Sequence, residues 1–166
     1  MRKNILLLPI LLFSSFTFSQ QNEEITRIII VRHAEKNDDG SKNPSLSAEG
    51  KLRAERLNKM LHEFKIDKLY ATPYARTNET LKPIATARKL EISNYSASDK
   101  DFAKNVISNE RGKTIVIAGH SNTCPTLVNN LIKEEKYKEL DESEYGKIWI
   151  LTFRNEQPAD CILLNY

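Results

Sequence analysis

The chain is poor in the residues that would announce a metal centre or a disulfide scaffold. It holds three histidines and two cysteines in 166 residues, and nowhere do His, Cys, Asp and Glu gather at the short spacings a bound cation needs. Two cysteines allow a single pairing, so a stapled mini-domain is excluded and an apolar core must carry the fold. We expect Cys124 and Cys161 to be two free, buried thiols. Excess charge is also missing: the formal net charge is +3, and it falls by the two cations Arg2 and Lys3 to +1 if the amino-terminal segment is removed. No basic field is left to make nucleic acid a partner. Internal repeats and low-complexity tracts are absent as well, which excludes a solenoid or a disordered array. With 40% hydrophobic and 28% charged residues, the chain has the composition of one ordinary globular domain.

One long apolar run is present, and it lies at the start. Arg2 and Lys3 precede an almost wholly apolar stretch from Ile5 to Phe18, and Thr17-Phe18-Ser19 offers fairly small residues before a cut at Gln20. This is the layout of a secretory signal peptide over residues 1–19, with the domain proper over 20–166. The competing reading, an uncleaved membrane anchor, is disfavoured because the apolar core is shorter than the roughly 20 residues a spanning helix needs and Pro9 interrupts it. The expected product is exported, periplasmic or secreted, with no stable membrane insertion after cleavage.

Beyond that segment, strand and helix patterns alternate. A β-branched run at about 26–32 is followed by a turn-rich loop, Asn37 to Asn43, and by a helix for which Ser47 is the candidate N-cap and Leu57, Met60, Leu61 and Phe64 the core face. Ile66–Thr72 reads as a strand closed by Pro73, and 75–90 as a helix bent or restarted around Pro83. A strand at 91–95, a helix at 100–109, a strand at 113–118 and a helix at 122–133 follow. The charged stretch Lys133 to Glu144 reads as a solvated helix end plus loop, and 148–153 and 161–164 as closing strands around a turn at Asn155–Pro158. Such alternation predicts a single-domain α/β fold, a mostly parallel central sheet with helices on both faces.

The scarce histidines are not scattered. His33 follows the run Arg27–Arg32, and His120 follows Lys113–Gly119, so two buried strands each deliver a histidine to their carboxyl end. In open α/β sheets that edge is where ligands collect. The third, His62, lies in an amphipathic helix and is expected to be solvated. Arg32 stands beside His33, and Arg76 stands just past the strand 66–72 at the start of its helix, where backbone N–H groups already favour an anion. Two guanidinium groups can hold phosphate oxygens through forked hydrogen bonds.

A neutral imidazole in that setting can attack phosphorus while flanking cations neutralise the equatorial oxygens. Water then frees inorganic phosphate from the phosphohistidine. No cofactor and no metal are required, since two arginines and a protonated second histidine supply the positive charge.

Four segments, Arg32-His33-Ala34-Glu35-Lys36, Leu46-Ser47-Ala48-Glu49-Gly50, Thr72 to Thr80, and Gly119-His120-Ser121, resemble the histidine phosphatase superfamily, also called phosphoglycerate mutase-like, in order and spacing. The resemblance implies the phosphoglycerate mutase-like fold, His33 as the phosphorylated nucleophile, and Arg32, Arg76 and His120 as the phosphate pocket. Ala34, Lys36 and Asp39 depart from the family's usual glycine, serine or threonine, and asparagine. The family's leaving-group acid is usually a glutamate some two dozen residues past the second arginine; here Asp99 or Asp101 occupies that region, with helix N-capping as the alternative role for Asp99 and Glu35 as the weaker candidate acid. Lys36 and Ser121 are secondary candidates. In compactness the chain resembles the small phosphohistidine phosphatases, whose substrates are proteins inside the cell; an exported, open site suits small phosphorylated substrates such as sugar phosphates better. A non-catalytic phosphate-binding module on the same fold, and a phosphohistidine protein phosphatase, are the alternatives.

Overall fold

A computed structural model describes residues 23–166; the proposed signal peptide and its cleavage site lie outside the described residues. Six strands and four helices follow in the order β1 (Ile25–Arg32), α1 (Ala48–Met60), β2 (Lys68–Ala71), α2 (Ala75–Arg88), β3 (Ile92–Asn94), α3 (Phe102–Asn109), β4 (Thr114–Gly119), α4 (Thr123–Ile132), β5 (Lys147–Arg154) and β6 (Gln157–Asn165). One sheet contains all six in the order β3-β2-β4-β1-β5-β6. The four strands β3, β2, β4 and β1 are mutually parallel, while β5 runs antiparallel to β1 and β6 antiparallel to β5. The sheet is therefore mixed, and the expectation of a mostly parallel sheet holds for that half alone. Among the described residues no helix is long and apolar enough to cross a membrane.

The antiparallel half has two physical causes. A two-residue turn, Asn155-Glu156, with both residues at positive φ (46° and 67°), joins β5 to β6, and so tight a connection can join only antiparallel neighbours. The reversal of β5 comes from the stretch 133–146, which carries the chain back to the carboxyl edge of the parallel strands before β5 begins. Leu140 N–H donates to Ser121 O at 3.1 Å there, and Ile148 pairs with Val31 near the end of β1.

Strand β1 is an unbroken apolar run because both of its faces are covered. Ile28 and Ile30 pack with Val128, Leu131, Trp149 and Phe153 on one side, while Ile29 and Val31 pack with Leu57, Leu61, Leu81 and Ile84 on the other. Ser47 caps α1, its Oγ accepting from Gly50 N–H at 3.1 Å. The buried stripe of α1 is Gly50, Ala54 and Leu57; Met60, expected in the core, is 39% exposed because the stripe continues to Leu61 instead. Pro83 sits inside a single helix α2 and neither ends nor restarts it. Both thiols are free as expected, although Cys161 is only half-buried and Cys124 is fully so.

Gly50 marks a close approach of α1 to the loop after β1: a Cβ there would stand 2.1 Å from the backbone oxygen of Glu35. Gly50→Ala should therefore destabilise the protein by about 1–3 kcal/mol or more through overpacking against a backbone that cannot turn aside. Urea denaturation reads this directly, and a wild-type midpoint would mean that α1 shifts without cost.

Candidate functional site

Register brings the site together. Arg32, the last residue of β1, pairs with Gly119, the last of β4, and Ala71 at the end of β2 pairs with Ala118. The residues that follow, His33, His120 and Thr72, therefore leave the sheet at one level. His33 N–H donates to Gly119 O at 2.9 Å, and the two imidazole rings stand 5.4 Å apart, centroid to centroid, in an edge-to-face arrangement.

Hydrogen bonds settle which nitrogen of each ring carries a proton. His33 Nδ1 lies 2.8 Å from Ala34 O; a carbonyl only accepts, so Nδ1 bears the hydrogen and the Nε2 lone pair is left for another atom. For His120 the assignment is reversed. Its Nδ1 lies 3.4 Å from Arg76 Nη2, which can only donate, so Nε2 carries the proton and donates to Thr72 Oγ1 at 2.8 Å. Thr72 Oγ1 donates onward to Thr77 Oγ1 at 3.1 Å, completing a consistent chain of donors.

Burial pushes the His33 imidazole down to about 3, with Arg76, Arg32 and His120 adding to the shift against the Ala34 hydrogen bond. Burial likewise lowers His120 to about 4, helped by Arg76 and Arg32. Both rings are thus neutral near pH 7. This suits an attacking nitrogen, but it corrects the expectation of a protonated second histidine: before an anion binds, the positive charge comes from the arginines. Because the native rings titrate far below the ordinary 6.5, their contribution to stability is fully present above about pH 6.5 and is lost as pH falls toward 4 and then 3. Unfolding midpoints taken between pH 7 and 4 should fall more steeply for the wild type than for a His33→Ala/His120→Ala variant; equal slopes would show that these rings are not the source.

Arg32 is 1% exposed. Its Nη1 donates to Asp141 O at 2.7 Å and Glu144 O at 3.2 Å, its Nη2 to Glu142 Oε2 at 3.1 Å, and the Tyr145 ring lies over its guanidinium carbon at 4.3 Å. Arg76 lies 4.6 Å over the Tyr74 ring. In both arginines the Nε–H is buried with no partner, a costly state unless an anion completes it. The amide of Ala75 at the head of α2 is already taken by Asn43 Oδ1 at 2.8 Å, so here the side chains, more than the helix terminus, are free to hold an anion. Together Arg32, His33, Arg76, His120 and the buried Ser121 line a cavity of about 830 Å³, with exposed Lys36 at its margin.

The candidate acids lie elsewhere. Asp99 and Asp101 are exposed at the start of α3, where Asp99 Oδ1 accepts from Asp101 N–H at 2.9 Å, and neither lines this cavity. Packing explains it: Tyr95 N–H is bonded to Ala71 O at 3.0 Å and its ring stacks on Phe102 at 4.2 Å, which commits the intervening turn to starting α3. Glu35 is also turned away. Burial works upward on its carboxyl, but hydrogen bonds from Arg53 outweigh that and hold it below its usual range, with Arg53 Nε at 2.8 and 2.9 Å from the two oxygens. The carboxylates that do line the cavity are Glu139 and Glu142, both from the stretch expected to be solvated. Thr72, Tyr74 and Tyr145 were likewise without a role in the sequence reading; Thr72, the residue after a strand that ends beside the histidine strand, carried the one positional signal among them. Among the described residues no group of three or more His, Cys, Asp or Glu is placed to hold a metal.

Residues 28–97 match the family model described as the histidine phosphatase superfamily (branch 1), a segment that carries Arg32, His33 and Arg76 and ends before His120. No curated protein matches the sequence significantly. Solved structures do match in fold. The protein histidine phosphatase SixA complexed with tungstate superposes with a TM-score of 0.67 at 14% identity, over 84% of this chain and 96% of that one. A phosphoserine phosphatase from Entamoeba histolytica in complex with 3-phosphoglyceric acid gives 0.65 at 18% identity, over 85% and 97%, and a mycobacterial glucosyl-3-phosphoglycerate phosphatase gives 0.65 at 12%, over 86% and 98%. The matched segment holds the two arginines and the first histidine and is similar to the histidine phosphatase superfamily, and 84% of the chain shares the fold of the SixA phosphatase.

Proposed function

We propose that this protein is an exported phosphatase that hydrolyses phosphate monoesters through a phosphohistidine on His33. The observation that carries the reading is the pairing of an open His33 Nε2 with two guanidinium groups whose buried Nε–H groups have no protein partner. Arg32, Arg76 and His33 line one cavity, so in this reading a phosphoryl group held by the arginines presents its phosphorus to the nitrogen lone pair. The Nε2–P bond forms as the ester P–O bond breaks, and the leaving oxygen departs with the bonding pair and takes a proton from water or a rim group. Water then attacks phosphorus, inorganic phosphate leaves, and Nε2 regains its lone pair. Arg32 and Arg76 neutralise the charge that the equatorial oxygens carry in both steps.

Metal independence belongs to the same proposal, since each step uses only groups of this chain. Phosphate release from a panel of aryl and alkyl monoesters, measured in EDTA, tests it: the panel should include an activated aryl phosphate, sugar phosphates and phosphohistidine. A protein that binds phosphate yet releases none from any ester would instead be a binding module on this fold. The fold likeness to SixA, whose structure is described as that of a protein histidine phosphatase, favours phosphohistidine as the second substrate class. Export rests on the composition of residues 1–19. Protein recovered from the cell envelope should begin at or near Gln20, and an intact Met1 on membrane-bound material would establish an anchor.

A further inference from the structure

A phosphoryl group held by Arg32 and Arg76 fills only part of a cavity of about 830 Å³, so the leaving group of any ester must occupy the remainder. On the reading of this cavity as the phosphate site, the charge of its other walls decides which leaving groups fit. Neutral side chains, Asn94, Ser96, Ser98 and Asn122, form one part. The charged ones are Lys36, Glu139 and Glu142. Once a phosphate dianion has taken up the two arginine charges, these three leave one cation against two carboxylates.

Position strengthens that balance. Glu142 is anchored, with Oε2 at 3.1 Å from Arg32 Nη2 and Oε1 at 3.5 Å from Ser121 Oγ, so its charge stays at the phosphate's shoulder. Lys36 is exposed, on a flexible stem that keeps its strongly hydrated ammonium in water. The buried Arg32 Nε–H beside Glu142 has no protein partner, and an anion is the group that would complete it. That anion is the phosphoryl group, and a second negative charge brought by the leaving group would meet the carboxylates.

We propose that Glu142, together with Glu139, is a specificity determinant that admits monoesters with an uncharged or cationic leaving group and discriminates against those carrying a carboxylate. Glu142 is 78% exposed, so the effect is that of a partly screened like-charge contact, on the order of fivefold. The polyol and amino-alcohol monoesters are the matching substrate class.

A matched pair of ligands isolates the charge. Glycerol 3-phosphate and 3-phosphoglycerate differ in a hydroxymethyl group against a carboxylate, and phosphoethanolamine adds the cationic case. Calorimetric titration of the His33→Ala protein measures binding without turnover. Glycerol 3-phosphate should bind on the order of fivefold more tightly than 3-phosphoglycerate, and phosphoethanolamine at least as tightly as glycerol 3-phosphate. Adding Glu142→Gln should draw the matched pair to within about twofold, with Glu139→Gln contributing in the same direction. Because a ratio is read, a general loosening of the loop cancels. Equal affinities, the reverse order, binding of none of the three, or a ratio untouched by both glutamine variants would overturn the proposal. Absence of aryl phosphate turnover by the wild type, with the affinity order intact, would sink the catalytic reading and leave this one standing.

Discussion

His33→Ala should abolish turnover of every phosphate ester the protein accepts and leave the fold in place. The side chain lines a cavity that already exists, so its removal opens no new void in the core. What the native state loses is the Nδ1–H bond to Ala34 O, worth about 1 kcal/mol. What the reaction would lose is the atom proposed to form the covalent intermediate. Removing a nucleophile that acts through a covalent intermediate costs on the order of 10⁶ in rate in a well-studied hydrolase, far more than loss of an orienting group. Phosphate release from an activated aryl ester is the measurement, because a good leaving group exposes any residual route, and unfolding should be followed alongside at pH 7. Turnover within roughly a hundredfold of wild type would place the nucleophile elsewhere. His120→Ala provides the contrast: the ring holds its proton toward Thr72, and its loss should slow the reaction without ending it.

The legible part of this site is the part that regular structure delivers. An apolar run ending in Arg32-His33 and another ending before His120 can be read as strands that stop at a sheet edge, and parallel register then aligns the two ends, as Arg32 opposite Gly119 shows. Arg76 was legible for the same reason, as the second residue of the helix that follows β2. The return of residues 133–146 to this edge had no such signal. That segment is charged and aperiodic, and it holds Arg32 mainly through the backbone carbonyls of Asp141 and Glu144, atoms that every residue possesses and no sequence pattern marks. Its reading as a solvated loop followed from composition alone, and with it went the direction of β5. Asp99 and Asp101 illustrate the opposite error: their distance along the chain from Arg76 suits an acid, but with Tyr95 stacked on Phe102 it is Ser96 and Ser98 that line the cavity, while the two aspartates stand exposed at the start of α3.

Arg76→Ala should lower kcat/KM by about 10²–10³, the cost typical of one preorganised donor to a charged transition state, and by the same factor for aryl and alkyl esters. The equatorial oxygens that Arg76 is proposed to hold are common to every monoester, so the loss cannot depend on what departs. Arg76→Lys should recover part of it, since a point charge replaces the fork but not its geometry. A group that protonates the leaving oxygen behaves differently, because its removal hurts poor leaving groups by roughly 10²–10⁴ and good ones hardly at all. By that criterion Asp99→Asn and Asp101→Asn should leave both ester classes near wild type, as neither residue is part of the cavity lining. Plotting log kcat/KM against leaving-group pKa separates the cases: a parallel displacement for Arg76→Ala supports its place on the phosphoryl oxygens, whereas a steeper line would mean that Arg76 acts on the leaving group, directly or through the His120 Nδ1 that lies 3.4 Å from its Nη2.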